Sequence, residues 1–330
     1  GGDAGLRGGG GNGRNPRCWT TWRGIWGRRG PTGGRGQWTE PEVLDDVARY
    51  LGETRAYGVL YGNGDGALYR YYSDDIVKGI LVKIADGIVE NGPGGGAGNQ
   101  LNLLGDAAEL YAKAGKYCTL MNLFVQMLGS RMVPVAGNTQ ELDERIYWRD
   151  TASNFHQHYL VDSSPFYPDV LLSLEREDNA MVLGRTFQVI MNLMVFFDHW
   201  KAGRWEDAMA ILDGLQLLPR TADEVSRRAD AVRSLHMVVA REFHHIVLAS
   251  VDCLYEQYQA LRAAVRAAAG RRDVTDGSAV RRLAELREGV ELVHRFAGSV
   301  RFGQEGGGQW KMTAWDDINA RIARTVANMN

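Results

Sequence analysis

Apolar residues recur every three or four positions through most of this chain, the period of a helix that buries one face. "TEPE" at 39–42 reads as a capping box with proline near the first turn, and Val43, Leu44, Val47 and Leu51 follow on one side. "VLYGNGDGALYRYY" at 59–72 predicts a hairpin around its glycines. Ser73 is placed to cap a helix carrying Ile76, Ile80, Ile84 and Ile88, which "NGPGGGAGNQ" at 91–100 breaks. Two short helices follow, one with Leu104, Ala107, Ala108 and Tyr111 inward, the next with Tyr117, Met121, Phe124 and Leu128. The pattern predicts a helix over 139–160 with Leu142, Ile146, Phe155 and Tyr159 inward, then a nearly all-apolar one over about 178–201.

Beyond Gly203 comes a helix carrying Trp205, Met209, Leu212 and Leu215, ended by Pro219. "TADE" at 221–224 is a second capping box, opening a helical pattern that lasts to about 269 and must be kinked at that length. "GRRDVTDGS" at 270–278 reads as a loop. Leu283, Leu286, Val290, Val293 and Phe296 mark the next helix, and "TAWD" at 313–316 caps the last, with Trp315, Ile318, Ile322 and Val326 inward.

One phrase is written twice. "KAGKYCTLM" at 113–121 and "KAGRWEDAM" at 201–209 stand 88 residues apart. In each, glycine is free to take the left-handed conformation that ends a helix, and the aromatic two residues later opens the inner face of the next. The phrase is a helix-turn-helix corner, and its recurrence fits two repeat lengths of ~44 residues. The chain reads as all-α, an elongated α-helical solenoid of stacked antiparallel helix pairs over 39–330. Gly115, Tyr117, Phe196, Phe197, Gly203, Trp205 and Pro219 are its expected corner and core residues.

Composition sets residues 1–38 apart: 14 of them are Gly, seven Arg and four Trp, with no helical or strand period. This segment reads as disordered or a loop, and Arg-Gly stretches with aromatics can also stack on nucleic-acid bases. The whole chain has 330 residues, 45% of them hydrophobic, and a net charge of −2. That argues against whole-protein affinity for nucleic acid or acidic membranes. Cys18, Cys118 and Cys253 are far apart and fit a reducing compartment. The most apolar run, "FQVIMNLMVFF" at 187–197, is far short of the ~20 residues of a membrane span. A start at Gly1 without Met suggests a fragment or a processed product.

The search for chemistry finds little. His156 and His158 fall on different helix faces, adjacent His244 and His245 diverge, and His236, eight residues before His244, could share a face with it. No zinc spacing appears. "GNGDG" and "GPGGGAG" lack the spacings of nucleotide or calcium loops. The acid pairs Asp45-Asp46, Asp74-Asp75 and Asp316-Asp317 sit in first turns, where they complement helix dipoles. "LGS" at 128–130 is no nucleophile elbow. No enzyme, cofactor or metal site is expected, and such repeats work by offering surfaces to partners.

Residues 192–235 carry a more specific signal: a hydrophobic helix ending in Phe196 and Phe197, a corner at Gly203, Asp207-Ala208, then Leu215-Gln216-Leu217-Leu218-Pro219. In this order they resemble the linker nucleoporins of the nuclear pore inner ring, the nucleoporin-interacting-component family. Residues 104–124 are similar to that family's upstream helical pair and 247–262 to its late helix; the resemblance covers roughly 40–330 and is strongest over 181–265. It implies the C-terminal part of a scaffold solenoid at the nuclear envelope, with no catalytic activity. The implied partners are other nucleoporins: a disordered linker nucleoporin, large inner-ring solenoid nucleoporins, and channel nucleoporins through regions this chain does not contain. Small-molecule substrates, a membrane span and nucleic acid are not implied. The segments 1–38, 91–99 and 303–308 depart from the family pattern. Two other readings stay open on the residues alone: a tetratricopeptide-like adaptor, and RNA binding through the Arg-Gly tail.

Overall fold

A computed structural model describes residues 40–54, 73–91, 97–135, 137–176, 180–269, 277–300 and 312–329. Among them it holds twelve α-helices and no strand. They are α1 (Glu40–Thr54), α2 (Asp74–Asn91), α3 (Ala97–Lys113), α4 (Tyr117–Gly129), α5 (Thr139–Tyr159) and α6 (Tyr167–Glu175). Then come α7 (Ala180–Lys201), α8 (Trp205–Leu215), α9 (Glu224–Arg233), α10 (Met237–Ala269), α11 (Gly277–Ser299) and α12 (Met312–Met329). The chain divides into two compact units, 1–47 and 48–330; of the first, only the opening of α1 is described. The tail 1–38 and the hairpin expected over 59–72 lie outside the described residues.

The repeated phrase makes the same corner twice. At the end of α3, Gly115 has φ +70°, its N–H reaches the Ala112 carbonyl at 3.1 Å, and the Lys116 N–H reaches Tyr111 at 2.9 Å. At the end of α7, Gly203 has φ +73°, its N–H reaches Trp200 at 3.1 Å, and the Arg204 N–H reaches His199 at 2.9 Å. Each is a Schellman motif, in which two orphaned helix carbonyls are satisfied by the chain turning back. The next residues match too: φ −88°, ψ 62° at Lys116 and φ −91°, ψ 69° at Arg204. Local sequence thus fixes how each helix pair folds back.

Packing centres on α4, α7 and α10. α7 pairs with α8 across the second corner, α4 lies against α7, and α10 touches α4, α7, α8, α11 and α12. Phe124 of α4 holds the rings of Trp148, Phe155 and Phe187 within 6.1 Å. Burying such aromatics supplies about 25 cal/mol for each Å² withdrawn from water. Where α4 meets α10, Gly129 stands against Val238, and a side chain added there would overlap Val238. By length and composition α7 could cross a membrane. Its Phe187, Ile190, Leu193, Met194, Phe196 and Phe197 are instead buried in the protein core.

Several expectations need correction. On α5 the buried face is Arg145, Trp148, Ala152 and Phe155, whereas Leu142 and Ile146 are 39% and 38% exposed. A buried arginine hides the true stripe, because polar residues do not count towards an apolar period. The pattern over 221–269 is two helices, α9 and α10, parted at 234–236 without glycine or proline. Thr221 does not cap α9; the Glu224 carboxylate accepts the Arg220 N–H at 3.0 Å instead. The last helix opens at Met312, ahead of the expected cap at Thr313.

Candidate interaction surface

The second corner ends on an open cleft of about 510 Å³, walled by Gly203, Trp205 and Asp207, by Gln257 and Leu261 of α10, and by Leu286 of α11. Tyr117, the counterpart of Trp205, is buried and packs 5.5 Å from Tyr159. Trp205 is half-buried, so the expected core residue forms part of a cleft wall. Phe196 and Phe197 are sealed, with rings 4.9 Å apart, and Pro219 is buried behind Leu217 and Leu218 in the exit from α8. Across the corner, His199 Nδ1 stands 3.4 Å from an Asp207 carboxylate oxygen.

A second cleft, of about 450 Å³, lies where α4 turns into α5. Val133, Pro134, Val135 and Leu142 line it together with Glu141, Glu144, Arg131 and Arg145. Val135 is 54% exposed, and Leu142 and Ile146 follow one turn apart on the outer face of α5. Water meets three aliphatic side chains here, beside the cleft.

A buried charged network underlies it. Arg145 is 3% exposed and gives hydrogen bonds to Asp198 at 2.6 Å and to the carbonyls of Met194, Arg131 and Met132 at 2.8, 3.1 and 3.4 Å. Arg149 holds the other Asp198 oxygen at 2.8 Å. Burial pulls the Arg145 guanidinium below its ordinary value, and Asp198 opposes that pull. One side chain thus ties the loop after α4 to the last turns of α7. Neither Arg145 nor Asp198 stood out in the sequence; the available signal was an arginine spaced three and seven residues before Trp148 and Ala152.

Among the described residues, the histidines gather into no metal-binding group. His244 and His245, expected to diverge, hold their rings 3.8 Å apart. His156 stacks over Phe187 with centroids 6.4 Å apart. Cys118 and Cys253 are buried, and burial raises the Cys253 thiol to about 12, so it stays protonated. Among the described residues, no group of three or more His, Cys, Asp or Glu is placed to hold a metal ion.

Comparison with known proteins agrees with this architecture. The sequence pattern of the Nup93/Nic96 family matches residues 97–305. The nuclear pore complex protein Nup93 of Xenopus tropicalis is 25% identical over 300 residues, covering 88% of this chain and 31% of that protein. Nup93 of Danio rerio is 29% identical over 147 residues, covering 44% of this chain and 16% of that protein. The crystal structure of Chaetomium thermophilum Nic96 SOL superposes with a TM-score of 0.57 at 14% identity, over 86% of this chain and 40% of that one. The chain therefore spans less than a third of those two Nup93 relatives, and it shares the α-helical solenoid fold of Nic96.

Proposed function

The chain belongs to the Nup93/Nic96 family, and from that premise we propose that it is a structural nucleoporin of the nuclear pore complex at the nuclear envelope. Its part there is scaffolding for nucleocytoplasmic transport, without catalysis. The observation that carries this reading is the family match over 97–305, which contains both helix corners and both clefts. That match favours the scaffold over a generic helical adaptor, which the corner phrase alone would allow.

The same reading extends to partners. The proposed ligands are other nucleoporins: an apolar segment of a disordered linker nucleoporin, and the large inner-ring solenoid nucleoporins. The cleft between α4 and α5 suits the first, because Val135, Leu142 and Ile146 offer exposed aliphatic surface on a floor locked by Arg145. Affinity purification of the tagged chain with mass spectrometry tests the reading. Nucleoporins are expected to dominate the recovered proteins. A Leu142→Asp, Ile146→Asp variant is expected to lose the linker nucleoporin while keeping its helical circular dichroism. Recovery of chaperone or proteasome subunits in place of nucleoporins would overturn the scaffold reading.

A further inference from the structure

Residues 160–166 join α5 to α6, and within them Ser164-Pro165 is the only serine or threonine followed by proline in the 330 residues. The turn lies at the surface: Asp162, Ser163, Pro165 and Phe166 are exposed and Ser164 is half-buried. Backbone bonds from the Ser164 N–H to the Val161 carbonyl at 2.8 Å and from the Tyr167 N–H to the Ser164 carbonyl at 3.2 Å shape it, and one hydroxyl bridges it further. Ser164 Oγ donates to the His158 carbonyl and accepts the Phe166 N–H at 3.2 Å. The turn seats Phe166 against Tyr159 at 5.3 Å and His158 at 5.7 Å, and Tyr159 in turn packs on Tyr117 of the first corner.

We propose that Ser164 is a phosphorylation site for a proline-directed protein kinase, and that the modification releases this turn. Proline after the acceptor is what such kinases read: its ring fixes φ, and it has no N–H that needs a partner. In the reaction, Ser164 Oγ bonds to the γ-phosphorus of ATP and the bond from that phosphorus to the β-bridging oxygen breaks. The hydroxyl proton passes to the base of the kinase, and ADP leaves. The product has no hydroxyl hydrogen for the His158 carbonyl. It also places a charge of about −1.5 to −2 in a turn that already carries Asp162 and is followed by Asp169 in the first turn of α6. No lysine or arginine lies between Arg149 and Arg176 to receive it from the same stretch of chain. Lost donor and like charge act together, so Phe166 leaves its seat on Tyr159. This inference does not depend on the scaffold reading.

The test treats the native chain with a cyclin-dependent kinase and ATP, maps the phosphate by mass spectrometry, and then follows chymotrypsin cleavage after Phe166. A peptide of residues 158–170 confirms that the kinase is active. One phosphate on Ser164 is expected, absent in Ser164→Ala and retained on Thr in Ser164→Thr. Cleavage after Phe166 is expected to quicken several-fold on phosphorylation. A native chain that stays unmodified while the peptide is phosphorylated, or is modified only elsewhere, overturns the site. Unchanged cleavage of the phosphorylated chain overturns the release.

Discussion

Arg145 keeps its charge at a position 3% exposed because four acceptors, one of them the carboxylate of Asp198, replace the water it lost. Removing one partner of such an arrangement leaves the others unsatisfied. Arg145→Ala is therefore expected to cost about 3–5 kcal/mol, read as a fall in the urea midpoint. Arg145→Lys is expected to recover little, since a single ammonium cannot span Asp198 and carbonyls on two segments. A variant within about 1 kcal/mol of the parent, well under the cost of breaking a buried pair, would show that Arg149 alone holds Asp198. This residue also marks a limit of sequence reading. Leu142 and Ile146 satisfy the helical period as well as the true stripe does, and tertiary contacts, Arg145 with Asp198 and Trp148 and Phe155 with Phe124, decide which side of α5 faces in.

Whole elements were legible where local chemistry ends them. The corners at Gly115 and Gly203 follow from the left-handed glycine and the aromatic behind it, and both have the predicted hand. Added methyl groups meet no close neighbour at either site, with only Trp205 near Gly203, so the strain of a side chain there comes from φ itself. Gly115→Ala and Gly203→Ala are each expected to lower stability by about 1 kcal/mol, measured as shifts in melting temperature. The break between α9 and α10 was not legible, because nothing in Ser234-Leu235-His236 forbids a helix. A few residues into α10, burial and then His244 hold His245 down at about 4. A histidine depressed on folding favours the neutral form, so it weakens the fold progressively as pH falls from its unfolded value of about 6.5. Glu242, 3.7 Å from His245, acts in the opposite sense: burial raises its carboxyl, and acid relieves that penalty. Histidine-resolved NMR is expected to place the His245 midpoint near 4. A midpoint at the ordinary ~6.5 would show the ring to be solvated.

At the scale of the 48–330 unit, the corners make neighbours in sequence into neighbours in space, which is how a solenoid is built. A purely one-dimensional stack would open from either end, repeat by repeat. Here α10 runs for 33 residues and touches α4, α7, α8, α11 and α12, so early and late helices share one support. Its inner face holds Phe243, Ile246, Val247, Val251 and Cys253, each at most 1% exposed. By contrast, α12 rests chiefly on α10 and α11, fixed by the bond from Tyr258 to the Met329 carbonyl at 2.8 Å and by Arg321 on Asp252 at 2.9 Å. Local opening should follow that difference in support. Native-state hydrogen exchange is expected to find the slowest amides in α4, α7 and the first half of α10, exchanging together through global unfolding. The amides of α12 should exchange orders of magnitude faster through fraying. If α4 and α10 instead exchanged at widely different rates, the shared support would be broken and the solenoid would be one-dimensional after all.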